Sequence, residues 1–199
     1  ALDRLHTTAE SHDRVMLLEV MGRDAGWIAL WAGVAGGADC IVIPEIPYDA
    51  DRIADKIRAR RMKGRHFTLI VVAEGAAPEH GDSLPSRVQH GKGTLRKAGA
   101  AETLARLLTE RINVETHTTV LGHLQRGGSP VAYDRVLATQ FGVKAVELIH
   151  EGRWGEMVRL DAGNVSSVPI RDAVATHRTV DPSDPLIATA RSVGIEFGG

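Results

Sequence analysis

The stretch VMLLEVMGRDAGWIALWAGVAGGADCIVI, residues 15–43, decides the fold of this chain. It begins with a short apolar run at residues 15–20 and ends with a second one at residues 40–43, and an Ala- and Gly-rich segment lies between them. Short apolar runs that contain β-branched residues predict buried strands, and the segment between them predicts a helix. Two strands joined through a helix form a β-α-β unit, in which the strands are parallel.

The same alternation continues along the rest of the chain. We expect Asp49 to cap a helix that ends at Gly64, because its side chain can accept a backbone hydrogen bond there. The further predicted elements are strands at residues 67–73 and 118–121, and helices at residues 95–112, 132–150 and 186–193. Val136, Val143 and Val146 mark the apolar side of the helix at residues 132–150. Strands that alternate with helices predict an α/β fold, in which a mostly parallel sheet has helices on both faces.

Composition limits the size and the partners of the molecule. The chain has 199 residues, 43% hydrophobic and 25% charged, which suits one large globular domain or two small ones. A net charge of -1 gives no general attraction to nucleic acid or to an anionic membrane. We find no apolar stretch as long as the roughly 18 residues of a membrane span, and the single Cys40 excludes an internal disulfide. We expect a cytoplasmic protein and, because it begins with Ala1, a piece of a longer chain.

Two glycine-arginine pairs follow predicted strands, where ligands bind in open parallel sheets. Glycine lets backbone N–H groups approach an anion, and a guanidinium matches phosphate oxygens, so Arg23 and Arg126 are interpreted as phosphate or substrate clamps. His123 can add a donor, and Glu74, after the third strand, can accept hydrogen bonds from sugar hydroxyls. Taken singly, each pair also suits an ordinary turn with a solvated arginine, and Glu74 suits a surface ion pair.

No metal site is predicted within the chain. His117 and His123 are six residues apart, which is not a zinc-binding spacing.

Two segments carry a resemblance to a known family. EVMGRDAGW at residues 19–27 and VLGHLQRGGSPVAYDR at residues 120–135 closely resemble characteristic segments of the C-terminal half of 6-phosphofructokinases. The likeness extends through the opening ALDRLHTTAESHDR and the segments IVIPE, VVAEG and DRVLATQFG, all in family order. The resemblance implies a partial fructose 6-phosphate domain at residues 1–124, a return to the donor-binding domain at residues 125–176, and a tail at residues 177–199 that crosses back. Neither domain is then complete.

The resemblance also implies roles for individual residues, each taken at its matching position. Met21, Gly22 and Arg23 match a sugar-contacting triplet, and Arg23, near the transferring phosphoryl group, is the one expected catalytic residue. Glu74 matches a carboxylate that binds sugar hydroxyls. His123 and Arg126 match the residues that hold the 6-phosphate, and Leu124 and Gln125 complete this substrate-binding segment.

Two further positions imply a site shared between subunits. Arg14 matches an arginine that reaches the 6-phosphate from a neighbouring subunit. His117 lies where many members carry a second such arginine. Because histidine is charged only in the lower part of the physiological pH range, we expect sugar-phosphate binding to weaken as pH rises, relative to an arginine at this position. The implied assembly is a homo-oligomer, a dimer or a homotetramer.

The reaction that the resemblance implies is phosphoryl transfer from ATP or pyrophosphate to the 1-hydroxyl of fructose 6-phosphate, in glycolysis. The donor-phosphate loop, the ligand of Mg²⁺ and the catalytic aspartate are expected upstream of Ala1, so the 199-residue chain by itself is expected to be inactive. One alternative is a sugar-phosphate-binding or structural remnant without catalysis. Another, an unrelated doubly wound binding protein, requires residues 122–128 to lie far from Arg23.

Overall fold

The computed structural model describes residues 1–10, 14–79, 88–90, 94–96 and 99–199. These residues divide into two compact units, one formed by Ala1–Gln125 together with Thr179–Gly199 and the other by Arg126–Arg178. The assignment of chain segments to a sugar-phosphate domain and to a donor domain stays a prediction.

A four-stranded parallel sheet forms the centre of the first unit. Its strands stand in the order β2 (Cys40–Val42), β3 (Thr68–Ala73), β1 (Val15–Val20) and β6 (Thr116–Val120). Each pair of neighbours is parallel. The longer helices of this unit are α1 (Leu2–Glu10), α2 (Trp27–Ala35), α3 (Ala50–Met62), α4 (Ala100–Ile112) and α7 (Pro185–Ser192). The predicted α/β architecture is confirmed.

The sheet is covered on both faces, because successive side chains of a strand point to opposite sides. On one face, Leu17 and Ile70 join a buried cluster with residues of α3 and α4. On the other face, Leu18 and Val71 join a cluster with residues of α2 and α7. Strands buried on both sides explain why β1 and β3, apart from Glu19 and Thr68, are apolar runs and not alternating ones.

Local sequence signals set the ends of α3. Asp49 is its N-cap, and its side-chain oxygen accepts a hydrogen bond of 2.8 Å from the backbone N–H of Asp51. The helix ends at Met62, and Gly64 follows in a left-handed conformation with φ of +75°. Both ends agree with the predicted helix.

The helix expected at residues 95–112 is shorter than predicted. Leu95 lies in β5 (Thr94–Arg96), which pairs antiparallel with β4 (Val88–His90), and α4 begins only at Ala100. The extended backbone of Gly99, with φ of −63° and ψ of 154°, separates the two elements. A leucine at helical spacing from later leucines does not show where the helix begins.

A residue near the end of the sequence extends the sheet of the first unit at its edge strand, β2. Glu196 forms a parallel bridge with Cys40, and the N–H of Ile41 donates to the carbonyl of Glu196 over 2.9 Å. Phe197, 1% exposed, packs in the same cluster as Ile41. The tail therefore belongs to the core of this unit.

The second unit is a long helix and a hairpin. It contains α5 (Ala132–His150), the antiparallel strands β7 (Glu156–Asp161) and β8 (Asn164–Pro169), and the short α6 (Ile170–Ala173). Ala162 and Gly163 connect the strands with φ of +46° and +85°, as a two-residue type I′ turn requires. Within residues 126–178, Leu148 is the buried hydrophobic residue, while Val136, Val143 and Val146 on the predicted apolar side of α5 are exposed.

Within the described ranges, we find no helix with the length and apolar character that a membrane span needs.

Candidate functional site

The loops after β1 and β3 meet at the carboxyl edge of the sheet. Val20 and Ala73 are register partners at the ends of these strands, and the N–H of Glu74 donates to the carbonyl of Val20 over 2.9 Å. The Glu74 carboxylate then turns back over the first loop. Its Oε1 accepts hydrogen bonds from the backbone N–H of Arg23 at 2.7 Å and of Gly22 at 3.2 Å. Strand pairing thus brings together two of the predicted site segments.

The loop after β1 has an unusual backbone that its close contacts require. Gly22 has φ of +157° and Arg23 has φ of +52°, a left-handed value that few residues other than glycine adopt. A Cβ on Gly22 would lie 2.4 Å from the carbonyl oxygen of Ala25, and one on Gly75 would lie 2.0 Å from that of Arg23. The result is two successive N–H groups that converge on one oxygen, a geometry that binds anions and hydroxyl oxygens.

Gln125 joins the third predicted segment to this loop. Its Oε1 accepts a hydrogen bond of 2.8 Å from the backbone N–H of Met21. Gln125 lies in a 3-10 helix, Gly122–Arg126, that follows β6, so residues from this segment reach the loop of Arg23. The alternative of an unrelated binding protein requires residues 122–128 to lie far from Arg23. The hydrogen bond between Gln125 and Met21 contradicts this requirement.

The remaining residues of the predicted signature lie on the same 3-10 helix. His123 and Leu124 are exposed, and Leu124 leaves 78% of its surface accessible. Arg126 ends the 3-10 helix, is exposed, and is the first residue of the second unit. The first unit by itself therefore gathers Met21, Gly22, Arg23, Glu74 and Gln125 by hydrogen bonds, with His123 and Leu124 close by along the chain.

Glu19 is a buried acidic residue beside this site that the sequence reading did not select. It lies within β1 with 9% of its surface exposed, and its Oε2 accepts a hydrogen bond of 2.9 Å from Ala101 N–H at the start of α4. Burial raises the pKa of the Glu19 carboxyl, the bond from Ala101 opposes that rise, and the nearby Glu74 and Glu102 charges add to it. The signal in the sequence was a single charged residue within an otherwise apolar strand.

Arg14 and His117 meet at the opposite edge of the sheet, through a residue that the sequence reading missed. Arg14 Nε donates to Oε2 of Glu115 over 2.9 Å, and His117 Nε2 donates to Oε1 of the same carboxylate over 2.9 Å. These two hydrogen bonds hold the pKa of Glu115 below its ordinary value. We call Arg14, Glu115 and His117 the amino-edge cluster.

The two groups of residues are far apart within one chain. Arg14 precedes β1 and Met21 follows it, and this strand has six residues. At a rise of about 3.3 Å per residue, the two ends of the segment are about 20 Å apart. The amino-edge cluster and the loop of Arg23 therefore cannot touch the same small ligand in one protomer.

Within the described ranges, no group of three or more His, Cys, Asp or Glu side chains could hold a metal ion.

Comparison with known proteins was consistent in sequence and in structure. The family model described as Phosphofructokinase matches residues 1–149. The chain is 52% identical over 199 residues to ATP-dependent 6-phosphofructokinase 2 of Clostridium perfringens, covering 99% of this chain and 54% of that protein. It is 47% identical over 199 residues to pyrophosphate–fructose 6-phosphate 1-phosphotransferase of Streptomyces coelicolor, covering 100% of this chain and 56% of that protein. The chain thus spans about half the length of the curated relatives it matches.

Solved structures give the same result. The structure of phosphofructokinase from Saccharomyces cerevisiae aligns with a TM-score of 0.71 at 36% identity, covering 87% of this chain and 22% of that one. A pyrophosphate-dependent phosphofructokinase from Marinobacter aquaeolei aligns with a TM-score of 0.69 at 24% identity over 91% of this chain and 46% of that one, and this likeness concerns the fold alone.

Proposed function

The chain belongs to the phosphofructokinase family, and from this premise we propose that the whole protein transfers a phosphoryl group from ATP or pyrophosphate to the 1-hydroxyl of fructose 6-phosphate. In this reaction the 1-hydroxyl oxygen forms a bond to the terminal phosphorus of the donor. The bond from that phosphorus to the rest of the donor breaks, and the hydroxyl proton passes to a carboxylate base outside this chain.

One observation carries the proposal for the sugar side. It is the convergence of Glu74 and Gln125 on the backbone of Met21, Gly22 and Arg23 at the carboxyl edge of the sheet. Such an edge is where α/β folds of this kind bind ligands, and the loop brings together a carboxylate and an exposed guanidinium. These groups suit a phosphorylated sugar, whose hydroxyls need acceptors and whose phosphate needs donors.

Each residue receives a role in this proposal. Met21, Gly22 and Gln125 contact the sugar, and Glu74 accepts hydrogen bonds from its hydroxyls. Arg23 stabilises the charge of the transferring phosphoryl group and is the proposed catalytic residue of this chain. The residues proposed to bind the 6-phosphate end are His123, Leu124 and Arg126.

We assign the amino-edge cluster to a site shared between subunits. Along β1, Arg14 lies about 20 Å from the loop of Arg23, and His117, the register partner of Met16, lies about 16 Å from it, so these residues are too far away to share a single sugar phosphate with the loop. If a neighbouring copy placed its amino edge beside this loop, its Arg14 and His117 would reach the phosphate of the sugar bound here. The proposed assembly is a homo-oligomer, a dimer or a tetramer, as such a shared site requires.

The proposal includes components that lie outside this chain. Magnesium would be held by residues outside the described part, and the donor would bind mainly there too. A role in glycolysis and a cytoplasmic location belong to the same proposal.

Incubation of the purified whole protein with fructose 6-phosphate, MgCl₂ and either ATP or pyrophosphate tests the reaction. We expect fructose 1,6-bisphosphate to form with one of the two donors. Binding of the sugar phosphate without turnover with either donor would favour the alternative of a binding or structural remnant.

The 199-residue chain alone should show no turnover under the same conditions. Positioning and charge neutralisation supply most of the catalysis in phosphoryl transfer, and the described residues contain no metal-binding cluster for the donor. A rate near the about 1–100 s⁻¹ that is typical of kinases would contradict this expectation.

A further inference from the structure

The amino-edge cluster is held in place by the backbone and not only by its charges. The N–H of Val15 donates to the carbonyl of Glu115 over 3.0 Å, and Val15 is the register partner of Thr116. This pairing places the residue before β1 beside the residue before β6. Glu115 and His117 are two residues apart, so their side chains leave the strand on the same side.

Within the cluster, one carboxylate accepts hydrogen bonds from two side chains, each through a different oxygen. Oε2 of Glu115 accepts from the Arg14 guanidinium and Oε1 accepts from the His117 imidazole, both over 2.9 Å. Two oxygens of a phosphate group can replace this arrangement, because a guanidinium fork and a ring N–H bind phosphate and carboxylate oxygens alike. The two carboxylate oxygens of Glu115 therefore lie where two oxygens of a phosphate would bind.

The exchange of one anion for another is feasible because the cluster is open to solvent. The side chains of Arg14, His117 and Glu115 are 33%, 43% and 57% exposed. Exposed ion pairs contribute little to stability, so Glu115 can be displaced at small cost. A phosphate monoester near neutral pH carries between about 1.5 and 2 negative charges, more than a carboxylate.

We propose that the Glu115 carboxylate competes with the phosphate of the phosphorylated sugar for Arg14 and His117, and so limits the affinity of the shared site for its substrate. The inference rests on the proposed function, since it takes these two side chains to bind the phosphate of a substrate held by a neighbouring subunit. Glu115 is then a specificity-determining residue: only an anion with more charge than a carboxylate displaces it readily.

Substitution of Glu115→Gln in the whole protein tests the proposal. The amide keeps the size of the side chain and removes the competing charge, so the KM for fructose 6-phosphate should fall about two- to fivefold, while kcat stays the same. The matched control is Glu110→Gln, which removes one charge from an exposed position on α4 and should leave KM unchanged. An unchanged or higher KM in Glu115→Gln, with the thermal midpoint unaltered, overturns the inference.

A second comparison separates competition from a general effect of charge. In a background that carries Arg14→Ala and His117→Ala, Glu115→Gln has no cation to release, and its effect on KM should disappear. A full two- to fivefold fall in this background shows a general electrostatic effect and overturns the proposal.

Equilibrium binding of fructose 6-phosphate, measured by calorimetry, gives the same comparison independently of turnover. If the wild type binds and converts the sugar phosphate but Glu115→Gln has an unaltered Kd, the inference alone fails. If the wild type neither binds nor converts it with either donor, the proposed function fails and the inference falls with it.

Discussion

Glu74 accepts a hydrogen bond from the backbone N–H of Arg23, and Glu115 accepts hydrogen bonds from the side chains of Arg14 and His117. All three donors belong to residues that the sequence analysis assigned to substrate or phosphate binding. Gly22 and Arg23 could be selected from the sequence because they directly follow a recognisable strand, whereas Arg14 and His117 were selected only through the resemblance to a known family. Glu115 could not, because its pairing with Arg14 joins residues 101 positions apart and depends on the register of β1 with β6. Position after a strand is a local signal, whereas the partner of a side chain is decided by packing.

Arg126→Ala in the whole protein should weaken binding of fructose 6-phosphate. Loss of a hydrogen bond to a charged group costs about 1.5–3 kcal/mol, or roughly one to two decades in affinity. The KM for the phosphoryl donor should hardly change. The matched control is Arg171→Ala, which removes another exposed arginine from the same unit. An unchanged KM for the sugar phosphate in Arg126→Ala would mean that this arginine is only a solvated turn residue.

Glu19→Gln should change how stability depends on pH. Burial raises the pKa of Glu19 in the folded chain above its ordinary value, so the unfolded chain loses this proton at lower pH than the folded one. As pH rises through that window, ionisation favours the unfolded state, and Glu19 makes the free energy of unfolding fall.

The free energy of unfolding of the wild type, measured by urea denaturation, should therefore decrease relative to that of Glu19→Gln as pH rises above the ordinary pKa of a glutamate carboxyl. Glu110→Gln, at an exposed position on α4, is the control and should follow the wild type. Parallel curves for the wild type and Glu19→Gln would show that burial does not perturb this carboxyl.

Local sequence signals predict the helices and strands of the first unit better than they predict the contacts between these elements. The apolar run at residues 15–20 coincides with β1, and the Asp49 cap coincides with the start of α3. The hairpin of β7 and β8 went unpredicted because neither strand has a clear alternation of apolar and polar residues, β7 being mostly exposed and β8 mostly half-buried. A helix or strand that buries few side chains shows only a weak pattern of apolar residues in its sequence.

The packing of α2 on β2 depends on a glycine. A Cβ on Gly33 would lie 2.6 Å from both Cγ1 and Cδ1 of Ile41, whose side chain is fully buried. Gly33→Ala should therefore lower the free energy of unfolding by about 1–3 kcal/mol, the usual cost of overpacking.

Gly142→Ala on α5 is the matched substitution with the opposite expected sign. A Cβ there meets no atom within 4 Å, so the better helix propensity of alanine should raise stability by up to about 1 kcal/mol. Denaturant unfolding of both variants measures the difference, and an equal stability change in the two would contradict the packing argument.

At the scale of the whole molecule, the two units differ in how completely they bury their apolar residues. The helices of the first unit contribute to clusters on both faces of a sheet, whereas the second unit buries Leu148 alone among its hydrophobic residues. Composition predicted either one large domain or two small ones and could not decide between them. The tail at residues 179–199 belongs to the first unit, in which Glu196 pairs with β2, and no local signal reveals this pairing.

Hydrogen exchange of the 199-residue chain should reflect this difference. We expect the backbone amides of α5 to exchange faster than those of α4, although α5 has 19 residues and α4 has 13. Helix stability in proteins comes mainly from packing of a buried face, and α4 buries six residues where α5 buries one. Equal protection in the two helices would show that α5 does not need a packed face to remain stable.

The pairing of Glu196 with Cys40 has a consequence for biosynthesis. A ribosome delivers the chain from its N-terminus, so β2 emerges early and this edge has no partner until Glu196 has been translated, after residues 126–178 among others. At about 5–20 residues per second, that delay lasts roughly 8–30 s, during which the backbone of a nascent strand edge is open to pairing with other chains. Translation speed across residues 126–178 is thus expected to influence how much of the newly made protein escapes aggregation.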